Sequence, residues 1–164
     1  MSRAFVKESD QDELPPIPPP ALPPGVPNHV TPAGAARFRA EHQALAAERA
    51  TLRGQADPQS RARTATVLAR LAWLEARAPT WVETPTPSSP AQVSFGCAVQ
   101  VEDDEGEPRS LTLVGVDEVD VAAGRLSFLS PVARALVGAA VGDTVTVRTP
   151  RGEESWTVVA LRGG

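Results

Sequence analysis

The 164-residue chain has no Tyr, one cysteine, two histidines and only 4% aromatic residues. Each scarcity excludes something. Cys97 alone allows no intrachain disulfide and no cysteine-based zinc site, which fits a reducing, cytoplasmic setting. His29 and His42 are isolated, so neither a metal pair nor a catalytic triad can be assembled around them. With few aromatics, a core must be built from Val, Leu and Ala. No run of about 18 apolar residues is available to span a membrane, and residues 1–8 lack the apolar centre of a signal peptide. A soluble cytoplasmic protein without membrane contact is expected. The sequence also has no glycine-rich phosphate loop, nucleophile elbow or aromatic RNA-binding motif. It therefore points to no enzyme, offers no catalytic or metal-ligating residue and calls for no cofactor.

Proline, in contrast, is abundant: 17 in all, eight of them between Pro15 and Pro27. Charge is divided unevenly. The net charge of −4 combines −2 for residues 1–30, +4 for residues 31–82 and −6 for residues 83–164, which suggests modules facing different surroundings. Residues 1–30 join an acidic run (Glu8, Asp10, Asp12, Glu13) to the proline-rich stretch. Such a segment buries too little apolar surface to offset its ordering entropy, so a disordered tail with polyproline II character is expected. Ala4, Phe5 and Val6 form a short apolar anchor within it.

Thr31-Pro32 opens a helix: Thr caps, and Pro at the first helical position loses no hydrogen bond. Phe38, Leu45 and Leu52 recur every seven residues, predicting a helix over about 32–53. Gly54 stops it, and Asp57-Pro58 turns the chain and caps a second helix over about 58–77, with Val67, Leu71, Leu74 and Ala78 on one face. Joined by a short turn, the two must fold back as an antiparallel hairpin over residues 31–82. Trp73 and Trp81, near its end, are expected to pack against whatever follows. Residues 83–92, with Thr84 to Pro90 at their centre, read as a linker.

The period then changes to two. Phe95, Cys97, Val99 and Val101 mark one strand, Leu111, Leu113 and Val116 a second, Leu126 and Phe128 a third. Ser130-Pro131 repeats the cap signal and opens a short helix bearing Val132, Ala133, Leu136 and Val137. Val145 and Val147 then mark a fourth strand, and Trp156, Val158 and Ala160 a fifth. The order β-β-β-α-β-β predicts an antiparallel sheet covered by one helix, with Phe128 and Trp156 filling the core. The chain is thus of the α+β class. The acidic cluster Glu102–Glu105 lacks the spacing of a calcium loop and reads as a solvated turn.

Residues 93–164 also carry a string of motifs: Phe95-Gly96, Val114-Gly115 with Asp117-Glu118, Ser130-Pro131-Val132-Ala133-Arg134-Ala135-Leu136, Gly142-Asp143, and Thr149-Pro150 with Gly152. In this order, and preceded by a hairpin starting Thr31-Pro32-Ala33-Gly34, they resemble the bacterial GreA/GreB-type transcription elongation factors. The nucleoside-diphosphate-kinase regulators share part of the pattern. The Gre resemblance implies an FKBP-like C-terminal domain that docks on bacterial RNA polymerase and a coiled-coil hairpin that enters the secondary channel. There it would meet nucleic acid only indirectly, acting as a monomer. It places Ser130, Pro131, Ala133, Arg134, Asp117 and Glu118 at the docking surface.

In that family two acidic residues at the hairpin tip help hold a catalytic Mg²⁺ and stimulate transcript cleavage, since Mg²⁺ takes hard oxygen ligands. This tip has a single carboxylate, Asp57, among Arg49, Arg53, Arg61 and Arg63, and Asp57 is also the natural cap of the second helix. The expectation is a Gre-like regulator with a basic tip (Arg53, Asp57, Arg61) that modulates transcription without chemistry of its own. The alternatives are a cleavage stimulator using Asp57 and a regulator of another enzyme.

Overall fold

Two cap–proline pairs set the hairpin. In the computed structural model, which describes residues 21–164, Thr31 caps helix α1 (Pro32–Leu52) and Asp57 caps helix α2 (Pro58–Arg77). The Thr31 hydroxyl accepts the Gly34 N–H at 2.9 Å, and an Asp57 carboxylate oxygen accepts the Ser60 N–H at 2.9 Å. Gly54 takes a φ of 82°, the left-handed turn a side chain would resist, and reverses the chain. Phe38 on α1 and Val67, Leu71 and Leu74 on α2 are buried between the arms, while Leu45 and Leu52 stay half-buried. Ala78 falls just beyond α2 in a 3-10 turn and is exposed.

Of the tail expected over residues 1–30, residues 1–20 lie outside the described residues. At its other end the chain is ordered: Asn28–Val30 forms strand β1, paired in parallel with strand β2 (Trp81–Glu83). The pair brings together the chain entering α1 and the chain leaving α2, so residues expected in the tail (Asn28–Val30) pair with the end of the expected hairpin to form its foot. Asn28 and Val30 are buried, which their proline-rich neighbourhood did not suggest.

The second half is a five-stranded curled sheet made of β3 (Ala98–Glu102), β4 (Pro108–Val114), β5 (Arg125–Ser127), β6 (Thr144–Thr149) and β7 (Gly152–Arg162), in the order β5-β4-β3-β7-β6. Helix α3 (Pro131–Leu136) lies between β5 and β6 in sequence. It packs Ala133 and Leu136 against Val99, Val101, Leu113, Val147, Trp156 and Val158. Four of the five strands pair antiparallel. β4 and β5 run parallel, because the chain from Gly115 to Gly124 crosses back through two 3-10 turns before β5 begins.

Two core assignments change. At β7 the pairing steps from Gln100↔Ala160 to Val101↔Val158, leaving Val159 as a bulge. Beyond it the alternation flips, so Leu161 packs on the core in place of Ala160. Phe128 is half-buried and stands outside the sheet–helix core. It packs at 90° to Phe95, ring centroids 5.3 Å apart, and edge-on to His29 of β1 at 5.8 Å. Two widely separated aromatics of the sheet domain thus meet the hairpin foot.

Candidate functional site

Three places carry the residues singled out by the sequence: the hairpin foot, the outer face of α3 and the hairpin tip.

At the foot, Asp117 and Glu118 sit on the 3-10 turn Val116–Glu118 after β4. The Asp117 side chain has no exposed surface, and Glu118 is 2% exposed. Asp117 accepts from Arg77 (Nη2 at 2.7 Å and Nε at 3.0 Å), from Trp81 Nε1 at 2.8 Å and from Asn28 Nδ2 at 2.8 Å. Burial pushes its carboxyl up, but the Arg77, Asn28 and Trp81 hydrogen bonds and the Arg77 charge outweigh this and hold it below the usual range. Glu118 accepts the Thr31 N–H at 2.9 Å, the Thr31 hydroxyl at 2.5 Å and the Gly115 N–H at 3.0 Å. Two carboxylates of the sheet domain are therefore saturated by donors, most of them from the hairpin foot.

The fit leaves no room. A Cβ on Gly34 would overlap Glu118 Oε1, and one on Gly115 would overlap the His29 carbonyl oxygen. This gives Thr31-Pro32-Ala33-Gly34 and Gly115 a physical reason: they let the helix start and the acidic turn touch. Asp117 and Glu118 are accordingly removed from the docking surface. They have no free oxygen to offer a partner, and their job is to join the two halves. Trp81 does meet the sheet domain, through Asp117, and also stacks on Phe38 at 4.9 Å; Trp73 stays within the hairpin, beside Phe38 and under the Arg70 guanidinium.

On α3, the Ser130 hydroxyl accepts the Ala133 N–H at 3.2 Å, capping the helix. Ala133 is fully buried in the sheet–helix core and is likewise withdrawn as a docking residue. Pro131 and Arg134 are exposed, and Arg134 forms no ion pair among the described residues. Val137, expected within the helix, instead lies 52% exposed, because the helix ends at Leu136. Pro131 and Arg134 on α3 and Val137 just beyond it are thus the exposed residues here that a partner could touch. The early end of the helix, signalled by Gly138, was the available clue.

At the tip, Asp57 serves as the α2 cap. Hydrogen bonding from Ser60, side chain and main-chain N–H, holds its carboxyl below the usual range. Three stem arginines are matched, Arg63 to Glu48 (2.5 and 2.8 Å), Arg70 to Glu41 (2.7 and 2.9 Å) and Arg39 to Glu83 (2.7 Å), while Arg37 lies over the Phe38 ring. Arg49, Arg53 and Arg61 are exposed and have no ion-pair partner among the described residues. Arg63, grouped with them in the sequence, belongs to the stem. Among the described residues no three His, Cys, Asp or Glu side chains converge, and no helix is long and apolar enough to cross a membrane.

A helical hairpin followed by a curled, mostly antiparallel sheet domain defines the architecture. Residues 88–162 match the family model "Transcription elongation factor, GreA/GreB, C-term". Over 75 residues, 45% of this chain and 48% of the relative, the chain is 48% identical to the transcription elongation factor GreA of Methylobacterium sp. (strain 4-46). It is 46% identical over 78 residues to the transcription elongation factor GreB of Yersinia pestis, covering 48% of this chain and 46% of the relative. A solved structure, that of GreA factor homolog 1 of Thermus thermophilus, aligns with a TM-score of 0.42 at 24% identity, covering 84% of this chain and 100% of that one. The match covers the sheet domain, and the resemblance to GreA/GreB-type elongation factors stands on it. The matched stretch spans about half the length of the curated relatives.

Proposed function

We propose that the protein is a Gre-like transcription factor that binds bacterial RNA polymerase and modulates transcription as an accessory factor, not an enzyme, without supplying metal-binding carboxylates. The GreA and GreB relatives support the family part of this reading. One observation carries the rest: the tip carboxylate Asp57 is committed to capping α2, beside three exposed arginines that have no ion-pair partner among the described residues. Divalent-metal chemistry at a polymerase centre needs added carboxylates, whereas a cationic tip attracts phosphates or acidic walls. Docking falls to the exposed Pro131 and Arg134 of α3 and to Val137 just beyond it, with Ser130 fixing the start of the helix. The hairpin then occupies the secondary channel and meets nucleic acid there indirectly.

The test is co-purification with purified bacterial RNA polymerase, followed by a transcript-cleavage assay on stalled complexes. Binding without accelerated cleavage is expected, and Pro131→Ala should weaken binding while leaving the fold intact. Cleavage that disappears in Asp57→Asn would restore the cleavage-stimulator reading. No binding at all would move the protein toward regulation of another enzyme.

A further inference from the structure

The two edges of the five-stranded sheet are finished differently. β5 is three residues long and is covered by Asp120: the Asp120 N–H donates to the Arg125 carbonyl at 3.0 Å, and the Arg125 N–H to the Asp120 carbonyl at 2.9 Å. β6, at the other edge, is six residues long, and among the described residues no backbone group covers it. It pairs with β7 without a bulge and holds no proline or lysine, the devices that commonly keep an edge from pairing with another chain. Its one charge, Arg148, already faces Glu153 of β7 at 3.2 Å. The turn leading into β6 also exposes Val137 and Val141, at 52% and 57%. Both ends of the β6–β7 ladder show which groups are free. The Val158 N–H donates to the Asp143 carbonyl at 2.9 Å just ahead of β6, and Thr149 closes on Gly152 across the Pro150-Arg151 turn. Antiparallel pairing alternates, so Val145, Val147 and Thr149 bond to β7, while the N–H and C=O groups of Thr144, Thr146 and Arg148 point to the free edge.

We propose that β6 pairs antiparallel with β6 of a second copy of this chain, about a twofold axis through Thr146, to give a weak, reversible dimer with one continuous sheet. The strand is complementary to itself in this register. Thr146 meets Thr146, and Thr144 meets Arg148 on either side, so every residue with free backbone groups faces another such residue. No other centre does this. The faces agree as well: exposed Thr144, Thr146 and Arg148 lie on one side, Val145 opposes Val147 on the side of the α3 core, and a one-residue slip would mix the two. The two Arg148 side chains stay apart, each opposite a threonine. A contact this short falls below the size of a stable interface, so a dissociation constant on the order of 100 μM is expected. The monomer implied by the Gre resemblance becomes one side of an equilibrium. The inference goes beyond the polymerase reading and does not depend on it.

The test uses the full chain alone, in sedimentation equilibrium and amide hydrogen exchange over about 10 μM to 1 mM protein. The average mass should climb from monomer towards dimer with concentration. The amides of Thr144, Thr146 and Arg148 should gain protection in parallel, while those of Val145 and Val147 are protected throughout. Thr146→Pro removes an N–H that β7 does not use, so the monomer should keep its fold, as an edge strand tolerates proline there. Two of the hydrogen bonds across the axis are lost, and dimerisation should weaken about tenfold or more. Thr146→Lys serves as a second variant: it places two like charges against each other at the axis and leaves the monomer's bonds untouched, so it too should favour the monomer, less so at high salt. A mass that stays monomeric to the top of the range would overturn the proposal. So would a dimer that survives both variants, because another surface would then hold it. Protection of Thr144, Thr146 and Arg148 that does not change with concentration would also overturn it, by assigning the edge to a segment of the same chain. No polymerase is present, so none of these outcomes bears on the function proposed above.

Discussion

The two ends of the hairpin treat their charges in opposite ways. At the foot, two carboxylates are buried and every hydrogen bond they accept is local to the junction. At the tip, three arginines stand in solvent among the described residues without a counterion. A buried carboxylate left unsatisfied is expensive, so the foot holds charge for the sake of geometry. Exposed charge costs almost nothing to keep, so the tip holds it ready for a partner. Substitutions at the foot should therefore be read out as stability, and substitutions at the tip as function.

The largest effect should come from Glu118→Ala, which strips the Thr31 and Gly115 N–H groups and the Thr31 hydroxyl of their acceptor. A loss of about 3 kcal/mol or more is expected in denaturant unfolding, since hydrogen bonds to charged groups contribute about 1.5–3 kcal/mol each. Gly34→Ala should act in the same direction, by overlap with Glu118. Unfolding midpoints like the unmodified protein's in both variants would dissolve the contrast between foot and tip. Next comes acid. The Asp117 carboxyl titrates below its ordinary value in the fold, so its contribution is complete above the unfolded value and is lost as pH falls through the lower folded one. The indole N–H NMR signal of Trp81, which donates to Asp117, should stay constant down to about pH 4 and change below it. Asp117→Asn should remove that acid transition.

A smaller effect is expected for Asp57→Ala, which removes the α2 cap and should lower the melting temperature modestly. Thermal melting measures it. If the loss is undetectable, the cap is dispensable and Asp57 is free for another use. Smallest in stability, within about 0.5 kcal/mol, is the double reversal Arg53→Glu with Arg61→Glu. Its effect on transcription should be large by comparison: a salt-sensitive effect that the reversal diminishes. An effect on transcription unchanged by the reversal would leave docking through α3 as the sole active contact.

Elements with local signals were legible in the sequence. Thr31-Pro32, Asp57-Pro58 and Ser130-Pro131 each begin a helix one residue after the cap, and the alternation around Val99, Leu113, Val147 and Val158 locates the sheet. What escaped depends on partners distant in the chain. β1 and β2 are three residues each and gain their order only by pairing with each other, so composition assigned β1 to the tail and no strand was expected at the end of the hairpin. Asp117 and Glu118 read as surface residues because acidic side chains usually are. Their burial requires Arg77, Trp81, Asn28 and Thr31 to converge from the other half of the molecule. Phe128 was misplaced for the same reason, since its neighbour His29 belongs to β1. The exposure of Val137 was hidden by the one-residue uncertainty of a helix end.

The contact between Gly34 and Glu118 is also a fulcrum. The hairpin is an arm about 30 Å long pivoted at one end, so a tilt of about 5° at its foot swings the tip by about 2.6 Å. That is nearly the length of a hydrogen bond. Aim at the far end is thus set by clearance at the near end, and a methyl group added at Gly34 would steer the tip without touching it.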